Sequence, residues 1–527
     1  MNPARDDAAV VIGIDVGTTA VKVTAFGVGT PTRASAEREY PMHQPRPGYE
    51  EQDPDQMMTA VLEALVECAT GLAGREVLAI GLSSAMHGLI GLDADRRPVT
   101  PLVTWADSRA LHEVNLLRGS GIASAARSGA PVHSMTPLAK IRWFVDHEPE
   151  TVARVRWWVG LKDYLIQTLT GELVAERSCA SGTGLLSLAS GDWDPDLVEL
   201  AGTTLDTLPP VHSTTAHLAL LPEVASRAGL PEGLPVVLGA GDGPLGNLGV
   251  GALRPGVAGL SLGTSGAIRM VVPRPPTEND GSLFCYALTD DAWVVGAAIS
   301  NGGMVARWAG QNFLRDVVGD AADPDERLLD LVATVEPGSE GLLMIPYLMG
   351  ERAPLWDPSI SGAYLGVRRQ HTAAHFARAA IEGVGLQLGT LLQRLDAVHR
   401  VDEVRATGGT FRSTVWRDIV GACLDRPLVV VDSAEGSGLG AAALALFAIG
   451  RAGTLEAALA LVSARASGDA SPAPYRAPAD VVATYVAGRR AVSRLLDALA
   501  PVGAVMAPRS SAPAVRVDTH DDATADR

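Results

Sequence analysis

Between Val10 and Phe26 the chain reads V-V-I-G-I-D-V-G-T-T-A-V-K-V-T-A-F, two apolar runs separated by a D-x-G-T-T segment. The pattern predicts two antiparallel strands joined by a tight glycine loop. Gly259 to Val272 reads G-L-S-L-G-T-S-G-A-I-R-M-V-V and repeats the scheme of strand, G-T-[TS] turn and strand. Gly17 and Gly263 lie 246 residues apart, so each hairpin opens about half of the 527-residue chain. Two like hairpins at that distance predict a two-domain protein built by duplication. Short apolar runs at Val77 to Leu82, Pro235 to Gly239 and Val404 to Thr407 are expected as buried strands. Ala373 to Leu395, Gly438 to Ile449 and Asp480 to Leu499 are expected as helices. The expected domains are 10–252 and 256–450, with a break at G-A-L-R-P-G (Gly251 to Gly256). A helical extension over 451–507 follows. The tail 508–527, rich in Ser, Ala, Pro and Asp, is expected to lack order.

Composition narrows the function classes. A net charge of −17 argues against a nucleic-acid-binding face, which needs a basic patch. No apolar run approaches the ~20 residues that span a bilayer, and the N-terminus lacks the pattern of a secretory signal. The four cysteines are spaced too widely for a zinc site or a disulfide framework. These features predict a soluble cytoplasmic protein with no membrane partner. Of its 43 basic residues only Lys22, Lys140 and Lys162 are lysines. Arginine coding bias accounts for the rest, and the three exceptions lie near the motifs below.

A short G-T-[TS] loop offers backbone N–H groups and hydroxyls without bulk, which suits phosphate oxygens. Two such loops across a cleft could hold a nucleotide triphosphate. Asp15 is placed to bind Mg²⁺ directly or through water, and Lys22 to offer a compact positive charge. No G-x-x-x-x-G-K-[ST] P-loop is present. Gly436 to Ala441 mimics a dinucleotide fingerprint but lacks the following strand and acid, so close helix–strand packing is its expected role. Gly408 and Gly409, with Ser413, are candidates for approach to an adenosine. Asp242, flanked by Gly241 and Gly243, is a candidate general base, since an unhindered carboxylate can reach a substrate hydroxyl. An Asx turn or helix N-cap is the plainer reading of the same residue. Met86 and His87 end one strand, and Trp105, Asp107 and Arg109 follow, together suggesting a polyol-like pocket.

At these residues the chain resembles the FGGY family of carbohydrate kinases, over roughly Val10 to Gly450. Met135 to Trp143 (M-T-P-L-A-K-I-R-W) is similar to the family's first signature. Gly362 to Val367, with His375 to Glu382, is similar to the second. The resemblance implies an α/β fold of two ribonuclease-H-like domains, of the actin and hexokinase type, closing on ATP and sugar in the cleft between them. It implies Asp242 as catalytic base and Asp15 as the Mg²⁺-linked carboxylate. Thr18, Thr19 and Lys22 would form the first phosphate loop, and Gly263 and Thr264 the second. Gly303, Arg307, Gly408, Gly409 and Ser413 would contact nucleotide, and Met86, His87, Trp105, Asp107 and Arg109 the sugar.

Within the family, S-S-A-M-H, T-W-A-D-S-R, F-C-Y-A-L-T and G-T-S-G-A-I-R are similar to the branch that phosphorylates gluconate. The implied reaction is transfer from ATP to the 6-hydroxyl of D-gluconate; a xylulose or other polyol kinase is the alternative. A non-catalytic actin-like ATP-binding protein is the more distant one. The expected partners are a small sugar or sugar acid and, for assembly, a second copy of the chain. An acid substrate needs a cation at one end of its pocket. Arg109, Lys140, Lys162 and Arg269 are the candidates.

Overall fold

The computed structural model describes residues 9–506, except 32–33, 73, 278–279, 320, 322, 358–359, 432–435 and 464–472; the side chains of 496–506 are not described. The tail 508–527 lies outside the described residues.

The first hairpin forms β1 (Val10–Val16) and β2 (Ala20–Gly27), and β3 (Ala34–Glu39) continues the sheet beyond β2. The other side of β1 carries β4 (Val77–Ser84), then β6 (Pro235–Gly241) and β5 (His217–Ala219). The second sheet repeats the plan. Its hairpin is β7 (Val257–Leu262) and β8 (Gly266–Val272), flanked by β10 (Trp293–Ile299) and β9 (Phe284–Ala287). On the other side of β7 lie β11 (Glu403–Thr407) and β12 (Leu428–Val430). The ladder senses match over five strands of each sheet. The hairpins and their outer strands are antiparallel, while β1–β4–β6 and β7–β11–β12 are parallel. Five strands correspond in order and sense, which supports the duplication suggested by the paired glycine turns; the sixth lies at opposite edges, β5 beyond β6 in the first sheet and β9 beyond β10 in the second.

The helices that matter for the site are α1 (Pro137–His147), α2 (Leu161–Thr170), α3 (Asp242–Gly249), α4 (Met304–Phe313), α5 (Ala373–Val398), α6 (Thr414–Leu424), α7 (Gly436–Ala448) and α8 (Ala479–Met506). The helix α5 runs three residues past the expected Leu395, and α8 begins one residue before Asp480 and ends seven past Leu499. The helix α7 follows β12 in sequence yet packs on β1 and β4 of the first sheet and crosses α3. That crossing depends on absent side chains. A Cβ on Gly249 would lie 1.9 Å from the Gly436 carbonyl oxygen, and one on Gly440 would lie 2.1 Å from that of Leu245. Thus α3 and α7 pin the two sheets together, and the cleft between the hairpin turns lies beside them. Among the described residues no helix is long and apolar enough to cross a membrane, and all four cysteines are free thiols.

Candidate active site

Three adjoining cavities occupy the cleft. The first, of about 320 Å³, is lined by Asp15, Lys22, Asp242 and Gly243 from one side, and by Ser261, Arg269 and the start of α7 from the other. Asp15 and Lys22 are cross-strand partners in the first hairpin, which brings acid and ammonium to one end of the sheet. Asp15 Oδ1 accepts a hydrogen bond from Ser83 Oγ at 2.7 Å. Burial raises the Asp15 pKa to about 6, and the neighbouring Asp242 adds to the rise. Mg²⁺ in phosphoryl transfer is held by one or two carboxylates plus phosphate oxygens. Two carboxylates on one cavity fit that requirement. Among the described residues no cage of three or more His, Cys, Asp or Glu side chains competes for the role.

Asp242 opens α3, where the helix dipole favours its negative charge, and its Oδ1 accepts from Gly243 N at 2.7 Å. Burial raises its pKa, and the Arg269 guanidinium opposes the rise. Gly243 leaves room for the guanidinium, because a Cβ there would lie 3.2 Å from Arg269 Nε. The N-terminal helix position therefore serves a carboxylate that also faces solvent space on two sides.

Asp242, Gly243, Ser261 and Arg269 also line the second cavity, of about 260 Å³, with Met86, His87, Trp105, Tyr286, Arg352 and Trp356. His87 Nδ1 lies 2.8 Å from the Gly182 carbonyl, and burial lowers its pKa to about 4, so the ring is neutral near pH 7. Thr18, expected on the phosphates, lines this cavity, and its Oγ1 accepts from Trp105 Nε1 at 2.9 Å. Thr19 is exposed at the turn.

The third cavity, of about 780 Å³, gathers Gly263, Thr264, Gly303, Arg307, Gly409 and Ser413 from three elements of the second domain; Gly408 precedes it. At Gly263 the backbone φ is not positive, and an added Cβ would meet nothing within 4 Å. Neither strain nor protein contact demands glycine there, so the free space faces the cleft. Arg307 Nε pairs with Asp325 at 3.3 Å on the exposed rim.

Asp107 and Arg109 depart from expectation. Neither lines a cavity of the cleft. Arg109 pairs with Asp107 at 2.8 Å and Glu51 at 2.5 Å, and its guanidinium lies 3.9 Å from the Tyr49 ring centroid. Asp107 also accepts from Glu50 N at 2.8 Å. The pair braces the loop that carries Trp105, because a buried charge is held by its partners rather than offered to a ligand.

Two lysines are likewise engaged. Lys140 Nζ donates to the carbonyls of His87, Val103 and Thr104 at 2.6, 3.1 and 2.7 Å. Lys162 Nζ donates to those of Leu82, Leu238 and Ala240 at 3.1, 3.2 and 2.7 Å. Each ammonium uses its three protons on three converging carbonyls, a geometry that a planar guanidinium cannot reproduce. Sequence reasoning missed Arg352 and Tyr286 as cavity residues. Both lie in the segments P-Y-L-M-G-E-R-A-P-L-W and F-C-Y-A-L-T, but separation along the chain hid their meeting with His87.

Residues 10–249 match the N-terminal domain of the FGGY family of carbohydrate kinases, and residues 258–449 match its C-terminal domain. A gluconokinase of Bacillus subtilis (strain 168) is 37% identical over 457 residues, which cover 85% of this chain and 89% of that protein. Two solved structures from Lactobacillus acidophilus, one titled a gluconate kinase and one a ligand-bound xylulose kinase, each superpose with a TM-score of 0.88 at 31% identity. Each covers 95% of this chain and 100% of its own.

Proposed function

The chain belongs to the FGGY family of carbohydrate kinases, and on that footing we propose that it transfers the γ-phosphoryl group of ATP to the 6-hydroxyl of D-gluconate. The products are 6-phospho-D-gluconate and ADP. The observation that carries the reading is the position of Asp242, whose side chain borders both the cavity beside Asp15 and Lys22 and the cavity of His87 and Trp105. A base for phosphoryl transfer must reach the acceptor hydroxyl on one side and the phosphoryl group on the other.

In this reading the adenosine lies in the 780 Å³ cavity against Gly409 and Ser413, with its phosphates leading past Gly263 and Thr264. The acceptor hydroxyl gives its proton to Asp242 as its oxygen bonds to the γ-phosphorus. The bond between that phosphorus and the β,γ-bridging oxygen breaks, and the electron pair leaves with ADP. Lys22 borders the path and offsets developing charge on the phosphoryl oxygens. Asp15 would hold Mg²⁺, which supplies further charge neutralisation when bound with the nucleotide. Trp105 and Met86 give the sugar chain an apolar wall, and neutral His87 offers its outer nitrogen to a hydroxyl.

An ADP-release assay over D-gluconate, D-xylulose, glycerol, D-ribulose and L-gulonate tests the substrate. A kcat/KM no higher for gluconate than for the others overturns it. Asp242→Asn is expected to lose about 10²-fold or more in kcat while still binding ATP, and near-normal turnover removes the base assignment. D-Xylulose stands as the second reading, because one of the two equally similar structures carries that title.

A further inference from the structure

Three of the four cations that could receive a substrate carboxylate are engaged elsewhere: Arg109 by two carboxylates, Lys140 and Lys162 by three carbonyls each. The fourth, Arg269, lines the 260 Å³ cavity, where Arg352 joins it. Arg352 Nη2 donates to the Ile299 carbonyl at 2.6 Å, while its buried Nε has no acceptor. Its guanidinium carbon lies 5.4 Å from the Trp105 ring centroid. The adjacent Glu351 favours that charge at a distance, but its carboxylate oxygens are taken up by other donors. Its carboxylate accepts from Ser300 N at 3.0 Å, Asn301 Nδ2 at 3.1 Å and Arg352 N at 2.7 Å. Arg269 makes one long bond, from Nη1 to Ser261 Oγ at 3.3 Å.

Between these cations stands Tyr286, only 3% exposed, whose phenol oxygen also has no partner. Its ring is held by Phe284, stacked with centroids 4.4 Å apart, and by the edge of His87 at 5.6 Å. Buried polar atoms are ordinarily satisfied, so two orphans on one cavity point to an absent acceptor. Among the charged side chains lining that cavity, two guanidinium groups face one carboxylate, Asp242. The excess positive charge arises in a chain whose net charge is −17, and is therefore local.

We propose that Arg269 and Arg352, with the Tyr286 hydroxyl, form the subsite for the carboxylate of an acyclic sugar acid, and so select a monoanionic substrate over a neutral polyol. The inference rests on the sugar-acid reading above and adds the residues that read the acid. Guanidinium groups suit the task because their planar forks match carboxylate oxygens, and desolvation strengthens the pairing. A bound carboxylate would give the orphaned Nε and the phenol an acceptor and balance the charge.

The test compares D-gluconate with D-gluconamide, the same chain with a neutral end, for the full-length enzyme and its Arg269→Gln, Arg352→Gln and Tyr286→Phe variants. Wild type is expected to favour gluconate by about 30-fold or more in kcat/KM, the range of a charge-assisted hydrogen bond. Each Arg→Gln variant should reduce that ratio below about 5-fold, mainly through a higher KM for gluconate. Tyr286→Phe, which removes one oxygen and spares the fold, should reduce it by about 3-fold to 10-fold. Binding of a non-hydrolysable ATP analogue checks folding; where an arginine variant fails that check, Tyr286→Phe decides. Variants that keep the wild-type ratio overturn the subsite. A wild type that prefers gluconate among sugars but does not distinguish it from the amide also overturns the subsite, and leaves the gluconate reading standing. A wild type that prefers L-gulonate to gluconate, with gulonate favoured over its amide and the ratio lost in the variants, overturns the gluconate reading and supports the subsite. A wild type that prefers D-xylulose and ignores the acid group overturns both.

Discussion

Lys162 Nζ donates to the carbonyl oxygen of Ala240 at 2.7 Å, two residues before Asp242. The same ammonium holds Leu82, next to the Ser83 that donates to Asp15. One buried lysine thus ties together the ends of β4 and β6, from which both cleft carboxylates are placed. Glu176 Oε1, 3.8 Å away, faces it from the other side. Lys162→Met leaves three carbonyls and Glu176 without their cation, and is expected to cost about 3–5 kcal/mol. Lys162→Arg should cost about 1–3 kcal/mol through overpacking. Urea unfolding of both variants measures this; a loss under 0.5 kcal/mol in either (roughly the scatter for a surface substitution) would refute the assignment.

Lys140 performs the corresponding task for the sugar cavity, holding the carbonyls of His87 and Thr104 on either side of it. Lys140→Arg is expected to raise the sugar KM by about tenfold or more, with a smaller effect on the KM for ATP, since misplacement of the pocket wall weakens orientation. Lys22→Arg, on the phosphate side, should show the opposite bias. Steady-state kinetics with each substrate varied in turn separates the two.

The raised pKa of Asp15 makes a stability prediction with a definite sign. Its folded pKa, about 6, lies above the usual carboxylate value, so the folded state holds the proton more tightly than the unfolded chain. The group therefore favours folding most at low pH, and that advantage disappears as pH rises from about 4 to about 6. Above this window the ionised carboxylate is a net cost, on the order of 3 kcal/mol. In the ligand-free protein Asp15→Asn should raise Tm at pH 8 and have little effect at the lowest pH at which the protein stays folded. Equal shifts at both pH values would contradict it. Turnover should show the reverse trend, falling at low pH, because both carboxylates act ionised.

Gly243→Ala introduces a methyl group 3.2 Å from Arg269 Nε. The guanidinium must shift by a few tenths of an ångström beside Asp242, so the variant should fold normally while kcat falls by about tenfold. Unchanged kcat would show that the closeness of Arg269 to Asp242 is incidental.

Closure of the cleft around both substrates would exclude water from the phosphoryl group. The helices α3 and α7 cross where glycines bring backbones together and join the two sheets about which such a motion would turn. Small-angle scattering with an ATP analogue and gluconate should show a smaller radius of gyration than either ligand alone produces. An identical radius in all three states would argue for a preformed site.

Much of the architecture was legible because it depends on local pattern. The two G-T-[TS] hairpins announced themselves through apolar runs and glycine, and their strands fall where alternation and turn chemistry require. The helix α7 was legible as a helix, but its place on the opposite sheet was not, since nothing in an Ala- and Leu-rich stretch states which surface it covers. Asp107 and Arg109 show the same limit at the site. Their chemistry suits a polyol, but the structure pairs them with each other, and only the position of Glu51 and Tyr49 determines that.

The sequence by itself determined the repeated hairpins, the alternating α/β elements, the family resemblance and the short list of cleft residues around Asp15, Asp242 and Gly263. These follow from residue type and spacing along the chain. Tertiary structure alone decided which cations remain available. Lys140 and Lys162 are used up by carbonyls from distant strands, while Arg352, 83 residues beyond Arg269 in sequence, shares a cavity with it. Whether a charged side chain braces the fold or faces a ligand depends on the partners that packing brings within hydrogen-bond reach, and those partners are set by three-dimensional proximity.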